Sequence, residues 1–431
     1  MKIMRKLSPP RAITLGFMTV ILMGACILML PISLRDGQTL SFVNALFTST
    51  SAVCVTGLVV VDTYTVFSPF GQTVLALLIQ IGGLGVTSVG VGVILAMKKK
   101  IDLKGRQMIR ESLNLDTAKG LVELVRNILF TTLCFEAVGA VLSFLVFSRD
   151  YSLPRAIGMS MFHSVATFNN AGFDIIGGVG SLIPYQKDVL LNLSTAGLIL
   201  CGGIGFLVIQ DIRRNKRWKK LQLHSKVVIA VTLFLTAAGT LLLKVTQPEI
   251  TWLGAFFQSI TTRTAGFSTY DYRTFSQGAL LVMGLLMFIG ASPGSTGGGI
   301  KTSTVFVMLH SIKEAASKRA SSAFHYRLAR SAYYKASVVM TLGIMVVGLG
   351  VFLISLLEPQ IPLSDLLFEI ISAFSTTGLS TGITPKLGTV SKVLEICIMF
   401  IGRLGATTIV SLWSFKPEEN VSYPEGNIMV G

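Results

Sequence analysis

The sequence predicts an all-α polytopic membrane protein assembled from four pseudo-repeated units. Two observations lead to this fold class: the composition is that of a lipid-embedded chain, and one short motif recurs four times. Of the 431 residues, 51% are hydrophobic and only 13% are charged. A soluble domain usually carries about 25% charged residues. The composition therefore favours an integral membrane protein.

Seven apolar runs are long enough, or nearly so, to cross a bilayer as helices, which takes roughly 20 residues each. They cover residues 13–30, 74–97, 128–147, 189–209, 227–243, 338–356 and 393–410. The first run follows Pro9 and Pro10 and ends without a clear small-residue cleavage site. We therefore expect no cleaved signal peptide.

The basic residues are concentrated in alternate connections between these runs. Lysine and arginine number 37 against 21 aspartates and glutamates, which gives a formal net charge of +16. They cluster before residue 12 and in the segments 98–110, 213–220 and 313–335. The positive-inside rule assigns such segments to the cytoplasm. We expect a multi-pass protein of the cell (plasma) membrane with a cytoplasmic N-terminus. Short scattered basic loops do not favour nucleic-acid binding.

One motif occurs four times: a phenylalanine, an intervening stretch with serine, threonine or asparagine, and a glycine ten residues later that leucine or phenylalanine follows. The glycines are Gly57, Gly172, Gly266 and Gly378. A second glycine pattern follows each copy, at residues 82–85, 202–205, 290–294 and 402–405. Small residues inside membrane helices allow helix backbones to approach closely. Four copies in the same order indicate a genuine internal repeat.

Each unit is predicted to contain an outer helix, a short helix, an extended glycine-containing segment and a second long helix. A helix of about 10–13 residues, rising 1.5 Å per residue, cannot cross a bilayer of about 30 Å, so the short helix must re-enter. The full prediction is eight crossing helices and four re-entrant pore helices around one central pore. The units would cover residues 1–110, 111–222, 223–325 and 326–431, the last including a C-terminal tail.

Four extended segments on one axis would form a ring of carbonyl oxygens. Such backbone is tolerated at membrane depth where it lines a watery path, and carbonyl rings can replace the hydration shell of a cation. Glycine leaves the path free of side chains, and the negative ends of the pore helices would point at the ion. The predicted ion-binding residues are Val55, Thr56, Gly57, Asn170, Ala171, Gly172, Thr264, Ala265, Gly266, Thr376, Thr377 and Gly378.

The second span of the third unit is interrupted by a glycine-rich segment. Pro293 and five glycines between residues 290 and 304 cannot hold a regular helix. A discontinuous membrane helix is typical of a pore or binding site. The segment departs from a phosphate-binding P-loop, because Ile300 precedes Lys301 and a membrane span, not a strand, comes before it.

Arg403 lies inside the last apolar run, where a charge is costly and usually faces a partner or a wet cavity. Two alternatives are open for it. It would form a structural ion pair with Glu395, Glu369 or Glu136, or it would act as an electrostatic barrier or latch under the filter that pairs with the glycine-rich segment. Arg263, at the foot of the third filter segment, would brace that segment.

The four glycine segments resemble the selectivity-filter loops of the Trk/Ktr/HKT superfamily of potassium transporters, and the chain looks like the membrane subunit of a bacterial Ktr system. The likeness covers nearly the whole chain but lacks the extra N-terminal helix pair of Trk-type subunits. It implies that the four motif glycines are filter glycines. Some plant relatives with serine at the first position favour sodium, so glycine in all four implies potassium selectivity.

The resemblance also implies a flexible intramembrane gate loop at 291–304 that obstructs ion passage below the filter. The gate residues it implies are Gly290, Pro293, Gly294, Gly297, Gly298, Gly299, Lys301 and Arg403. It further implies a homodimer and a cytoplasmic ring of RCK-type nucleotide-binding subunits that act on the gate. Segments 98–110, 213–220 and 313–335 are the candidate docking surface, although topology signals near anionic lipid explain each basic residue equally well. The tail 416–431 could reach the dimer partner.

Other function classes fit the sequence less well. A membrane enzyme is not indicated, because the four histidines show no metal-binding spacing and His163 lies in a predicted pore helix. An alternating-access carrier would show inverted repeats and buried ionisable relays, whereas these repeats are parallel. No cofactor is expected in this chain besides the transported K⁺, with any nucleotide on the partner. A Na⁺/K⁺ symporter or a carrier-type cation transporter with weaker potassium selectivity stays the alternative, without an evident second cation site.

Overall fold

The computed structural model describes residues 8–96, 121–177, 181–317, 322–405 and 408. Four of its helices are long and apolar enough to cross a bilayer by themselves, and we call them outer helices 1 to 4: Pro9–Leu28, Leu121–Phe147, Leu223–Thr246 and Arg330–Leu357. They coincide with the apolar runs predicted at 13–30, 128–147, 227–243 and 338–356, which confirms those helices. The predicted unit boundary at 110/111, the basic segment 98–110 and the tail 416–431 lie outside the described residues.

A short helix follows each outer helix, and we call these pore helices 1 to 4: Phe42–Val53, Leu153–Phe168, Trp252–Thr261 and Leu363–Ser375. They contain 12, 16, 10 and 13 residues, so the second is longer than predicted. Local chemistry sets where they begin. The side chains of Ser41 and Thr251 accept backbone amides as N-caps, and Pro154 occupies the first turn of the second, where no intrahelical donor is needed.

One helix, or a pair of consecutive helices, follows each motif-glycine segment, and we call these inner helices 1 to 4. The first three consist of two parts each: Pro69–Leu84 and Val86–Ala96, Val189–Gly203 and Phe206–Asn215, and Gln277–Phe288 and Thr302–Ser317. Inner helix 4 is Thr389–Leu404. The sequence led us to expect a break only in the third. The first pair is bent by 100° and the second by 94°, so the prediction of a continuous second helix is wrong for these two units. By length and composition the described helices give four spans, or up to six if each bent pair counts as one. Eight crossing helices therefore stays a prediction.

The bends occur at the last glycine of the second glycine pattern. Gly85 and Gly205 have φ angles of +82° and +96°, and Gly405, which follows inner helix 4, has +85°. Backbone with positive φ cannot continue a right-handed helix, and glycine adopts it without the clash that a Cβ would bring. The glycine pattern thus marks a common helix end in three units. The third unit differs in having a loop, residues 289–301, at this point.

The other described elements are short connections. They are the helix Thr63–Val66, the 3₁₀ turns Pro31–Ser33, Ile183–Tyr185, Trp218–Lys220, Tyr272–Thr274 and Thr384–Lys386, and an antiparallel hairpin of Ser322–Ala323 with Tyr326–Arg327.

The first three pore helices are fastened to their outer helices by a repeated glycine–serine contact. A Cβ built on the outer-helix glycine would collide with the serine hydroxyl in the pairs Gly24–Ser49, Gly139–Ser164 and Gly239–Ser259. Each serine Oγ donates to an outer-helix carbonyl: that of Ile21 at 2.7 Å, Glu136 at 2.6 Å and Thr236 at 2.9 Å. A hydrogen bond of this kind contributes about 1 kcal/mol. The contact fixes the register of each pore helix against the membrane-spanning helix behind it.

Inner helices approach the ends of the pore helices closely, as the second glycine pattern predicted. A Cβ on the glycine would overlap a backbone carbonyl oxygen in the pairs Gly82–Val53, Gly202–Phe168 and Gly402–Phe374. Each of these carbonyls lies four residues before a motif glycine. The close approach therefore brings three inner helices directly beneath the predicted filter segments.

We expect Gly202→Ala to lower the midpoint of thermal unfolding of the detergent-solubilised protein, because forcing a methyl group into occupied space costs about 1–3 kcal/mol. Gly197→Ala, in the same helix, is the matched control. A Cβ on Gly197 meets nothing within 4 Å, and alanine gains about 1 kcal/mol of helix propensity over glycine. The control should leave the midpoint unchanged or raise it; equal midpoints for the two variants would contradict the packing described here.

Candidate functional site

The four motif glycines lie against one another in a closed ring. A Cβ built on Gly57 would lie 2.5 Å from the carbonyl oxygen of Ala171, and one on Gly172 would lie 2.9 Å from that of Ala265. A Cβ on Gly266 would overlap the carbonyl oxygen of Thr377, and one on Gly378 would overlap that of Thr56. Each segment therefore touches the next in cyclic order, and the fourth touches the first. There is no room for a side chain at any of the four positions.

The backbone of the four segments is repeated as well. The residue two places before each glycine has a left-handed conformation: Val55 at φ 57°, Asn170 at 58°, Thr264 at 68° and Thr376 at 54°. Such angles are uncommon for non-glycine residues and cost about 1–3 kcal/mol each, so they persist only where the surrounding structure imposes them. The same strained position in four segments indicates that the surrounding helices hold one shared backbone shape.

Hydrogen bonds from the pore helices provide that hold. The amide before the glycine donates to a carbonyl five residues earlier in three units: Thr56 to Ser51 at 2.8 Å, Ala171 to Ala166 at 2.7 Å and Thr377 to Ser372 at 2.9 Å. The Oγ atoms of Ser51 and Ser372 also accept the amides of Gly57 and Gly378, each at 3.0 Å. In the third unit the Thr261 hydroxyl donates to the carbonyl of Phe267 at 2.7 Å. With their amides turned to the pore helices, the segments present carbonyl oxygens to one another.

The loop 289–301 of the third unit lies against the left-handed residues of this ring. The Gly298 amide donates to Thr376 Oγ1 at 3.0 Å, and a Cβ on Gly297 would overlap Thr264 Oγ1. Two of the loop's glycines are therefore in direct contact with two of the four motif-glycine segments. The loop occupies the side of the ring toward the pore-helix ends, where a path through the ring would continue.

The same loop is fastened to the neighbouring inner helices. The amides of Ser292 and Thr296 donate to the carbonyls of Gly203 and Gly202, at 3.0 and 3.2 Å, and the Gly299 amide donates to that of Gly402 at 3.4 Å. The Phe206 amide donates to the Gly294 carbonyl at 3.0 Å. Pro293 is placed there too, since its carbonyl oxygen lies 2.8 Å from a Cβ built on Gly205. The loop thus joins the bend of inner helix 2 to the end of inner helix 4.

Two cationic side chains are held by backbone carbonyls beside this loop. Lys301 Nζ donates to the carbonyls of Gly297 at 2.6 Å and Gly298 at 3.2 Å. Arg403 donates to the carbonyls of Thr296, Gly82 and Gly83. Within the described chain neither forms an ion pair, and the two charges interact with each other.

The geometry bears on the two alternatives for Arg403. Its guanidinium bridges the loop and inner helix 1, and the predicted partners Glu395, Glu369 and Glu136 form no salt bridge with it in the described part of the chain. The ion pair with these three glutamates is therefore contradicted. Arg403 contacts the glycine-rich segment, and its role as an electrostatic barrier or latch stays a prediction. Two uncompensated positive charges under a ring of carbonyls would oppose the passage of a cation.

Two further buried groups brace the ring from behind. Arg263 donates to the carbonyl of Thr232 at 3.1 Å and to its hydroxyl at 3.2 Å, which fastens the third segment to outer helix 3, as predicted. Asn169, which the sequence reading missed, donates to Gln80 at 2.8 Å and to Glu136 at 3.1 Å. Both residues lie three places before a motif glycine, and this shared position is the signal that could have identified Asn169.

His163 is a packed polar residue, as expected. Its Nε2 atom lies 2.9 Å from Thr195 Oγ1, and its ring packs edge-on against Phe147 and Phe267. Among the described residues no group of three or more histidine, cysteine, aspartate or glutamate side chains could hold a metal ion. The repeated backbone segments, and not a side-chain cluster, form the candidate site.

Comparison with known proteins gives one consistent family. The sequence profile of TrkH, a cation transport protein, matches residues 8–235 and 217–423. The chain is 38% identical to the Ktr system potassium uptake protein B of Bacillus subtilis, over 99% of this chain and 97% of that protein. It is 36% identical to the potassium/sodium uptake protein NtpJ of Enterococcus hirae, over 100% and 99%.

A solved structure leads to the same fold. The potassium transporter TrkH of Vibrio parahaemolyticus superposes with a TM-score of 0.75 at 18% identity, covering 95% of this chain and 86% of that one. The family profile spans almost the whole sequence, and the relatives align over nearly their full length. The chain therefore belongs to the TrkH family of cation transport proteins.

Proposed function

We propose that this chain takes up potassium ions across the plasma membrane through a selectivity filter of four glycine-containing segments, with a gate formed by the loop 289–301. The observation that carries the proposal is the cyclic packing of Gly57, Gly172, Gly266 and Gly378, each against the carbonyl oxygen of the residue that precedes the next glycine of the ring. Rings of backbone carbonyls are the chemistry by which proteins replace the hydration shell of K⁺. The printed name of the Bacillus subtilis relative, a potassium uptake protein, agrees with this.

The direction of the pore helices supports the filter. All four end within three to five residues of a motif glycine. A helix carries roughly half a negative charge at its C-terminal end, and four such ends directed at one site favour a cation there. In this proposal the ions bind at the carbonyls of residues 55–57, 170–172, 264–266 and 376–378, and the four units of the sequence analysis surround them.

The loop contacts support the gate. A segment with four glycines between Gly294 and Gly299 can change shape at low cost, and here hydrogen bonds hold it against the filter. Lys301 and Arg403 add positive charge at the same level. In the state described, the proposed gate is closed; opening would require the loop to leave Thr264 and Thr376 and Arg403 to release the carbonyl of Thr296.

The bent inner helix 2 offers a route for regulation from the cytoplasm. Its second half, Phe206–Asn215, begins at the hydrogen bond to Gly294 in the loop and ends at Arg213 and Arg214. We propose that a cytoplasmic RCK-type nucleotide-binding subunit docks on the basic segment 213–220 and moves this ten-residue helix, and with it the loop. A homodimer and a cytoplasmic N-terminus belong to the same proposal, and the word "system" in the relative's name agrees with a partner subunit.

Sodium is the second candidate ion. The Enterococcus hirae relative is named a potassium/sodium uptake protein, which favours the alternative of a Na⁺/K⁺ symporter or a less selective cation transporter. The two proposals differ in a measurable way, because coupled transport requires an inward sodium gradient and diffusion through a filter does not.

The test is cation flux into liposomes that contain the purified chain. We expect potassium uptake driven by an inside-negative potential, several-fold faster than sodium uptake, and unchanged when sodium is removed. Empty liposomes are the control. Potassium uptake only in the presence of a sodium gradient would establish the symport alternative, and equal rates for the two ions would overturn potassium selectivity. No flux of either ion, in the wild type or after deletion of the loop residues 294–298, would overturn the pore itself.

A further inference from the structure

Two carboxyl groups are enclosed in the fourth unit, away from the ring and from the loop. Glu369 lies on pore helix 4 and Glu395 on inner helix 4, two helices that pack against each other. Both side chains are completely buried, at 0% exposure, and the two groups interact electrostatically. Neither takes part in the filter or gate proposed above.

Their hydrogen bonding is incomplete in a specific way. Glu369 Oε1 accepts the hydroxyl of Thr384, and the Ser380 hydroxyl lies beside the same carboxyl group, but no donor among the described residues forms a hydrogen bond with Glu369 Oε2 or with either carboxyl oxygen of Glu395. A buried polar atom without a partner is costly, and more so if it is charged. Three such atoms on two neighbouring carboxyl groups therefore require an explanation.

A neighbouring carboxylate, that of Glu358, has the hydrogen-bond donors that stabilise an ionised carboxyl group. Glu358, just beyond outer helix 4, accepts the Gly388 amide at 2.7 Å and the Ser391 hydroxyl at 2.8 Å. These donors, the Gly388 amide first, hold its pKa below the usual value. Glu395 lies one helical turn beyond Ser391 on the same inner helix and has neither kind of donor.

The positive charge of Lys392 acts on Glu395 from the same helix and opposes protonation, but no cation in the described residues forms a salt bridge with either glutamate. Lys392 donates its ammonium to Asn44 Oδ1 at 3.3 Å. Two negative charges in one dry site would repel each other and would each lose several kcal/mol of hydration. Two carboxyl groups in such a position bind a proton instead, since one acid then donates to the other's free oxygen.

We propose that Glu369 and Glu395 form a buried proton-binding site, in which one proton is shared between the two carboxyl groups at neutral pH. The acid proton of Glu395 donated to Glu369 Oε2 would satisfy two of the three unpartnered atoms at once. The shared proton joins pore helix 4, which precedes the filter segment with Gly378, to inner helix 4, which ends in Arg403. Loss of the proton would place repelling charges between these two helices.

No charged group around the site takes the place of the proton by forming an ion pair with one of the two carboxylates. Pore helix 1 and the first half of inner helix 3, which also pack here, carry none. The remaining elements packed around the pair do carry charged residues. Near the start of inner helix 4 these are Asp365, Glu358, Lys386 and Lys392, and toward the opposite end they are Arg330, Lys335 and Arg403. Asp365 adds a further negative charge near Glu369, which strengthens the case for a bound proton.

The test is infrared difference spectroscopy of the purified full-length protein at neutral pH, in the region where the carbonyl stretch of a protonated carboxylic acid is resolved from that of a carboxylate. We expect the wild type to show a protonated carboxyl band that shifts in deuterated water and that Glu395→Gln removes. Glutamine keeps the shape and supplies an amide donor for Glu369, so this variant should fold. Glu358→Gln is the matched control and should leave the band unchanged.

Thermal unfolding at increasing pH gives a second, independent measurement. The wild type should lose stability as the pH rises far enough to remove the proton, and the variants Glu395→Gln and Glu369→Gln should lose less. A protonated band of equal strength in the wild type and in both variants would overturn the proposal, because the proton would then lie elsewhere, for example on the buried carboxyl of Glu136. The absence of such a band would also overturn it, because both groups would then be ionised and held by a metal cation. Neither measurement depends on ion flux, so the result stands apart from the proposed function.

Discussion

Replacing Gly266 with serine is expected to abolish the discrimination between potassium and sodium and to reduce potassium flux about tenfold or more. Gly266 has a φ angle of +79°, and a Cβ there would overlap the carbonyl oxygen of Thr377. The substitution therefore meets both backbone strain, worth about 1–3 kcal/mol, and a steric clash with a carbonyl proposed to bind the ion. A loss of 1.4 kcal/mol already corresponds to about a factor of ten. The measurement is potassium and sodium flux in liposomes.

A second glycine of the chain provides a control that separates the effect of backbone strain from the effect of lying in the four-glycine ring. Gly37, in the connection between outer helix 1 and pore helix 1, has nearly the same φ angle, +76°, but a Cβ there meets nothing within 4 Å. Gly37→Ser carries the same backbone strain away from the ring and should keep selectivity and rate. If the two variants transport alike, the four-glycine ring is not the selectivity filter.

Replacing Arg403 with glutamine is expected to raise potassium flux several-fold in the absence of any partner subunit. The arginine joins the loop, through Thr296, to inner helix 1, through Gly82 and Gly83. Glutamine is too short to keep both contacts and removes one positive charge from under the ring. The proposed gate would lose both its fastening and part of its electrostatic barrier. Deletion of residues 294–298 should raise the flux further, because it removes the obstruction itself.

Arg263→Gln is the control for the loss of an arginine inside the helix bundle. Arg263 is buried, at 4% exposure, whereas Arg403 is half-buried. Like Arg403 it forms no salt bridge with described residues, but it contacts outer helix 3 and not the loop. This variant should lower the thermal stability without raising the flux. Unchanged or lower flux in both Arg403→Gln and the loop deletion would show that the loop does not obstruct the path.

The sequence alone predicted the features that depend on local composition and on the recurrence of a motif along the chain. Apolar runs located the four outer helices, with ends that differ by up to eight residues from the observed ones, because membrane helices need long uncharged segments whatever surrounds them. The recurrence of a glycine ten residues after a phenylalanine identified the four segments that the fold brings into contact. The proline and glycines between residues 290 and 299 likewise predicted the break in inner helix 3 from local backbone chemistry.

Tertiary structure alone decided the features that depend on which groups meet. The bends at Gly85 and Gly205 were missed because an isolated glycine inside an apolar run does not reveal whether its φ angle is positive. The partner of Arg403 was left open because a charge inside an apolar run can be satisfied by carbonyls from two distant segments as well as by a carboxylate. The pairing of Glu369 with Glu395 was invisible for the same reason: burial and missing donors are properties of the packed helices, and the chain order does not encode them locally.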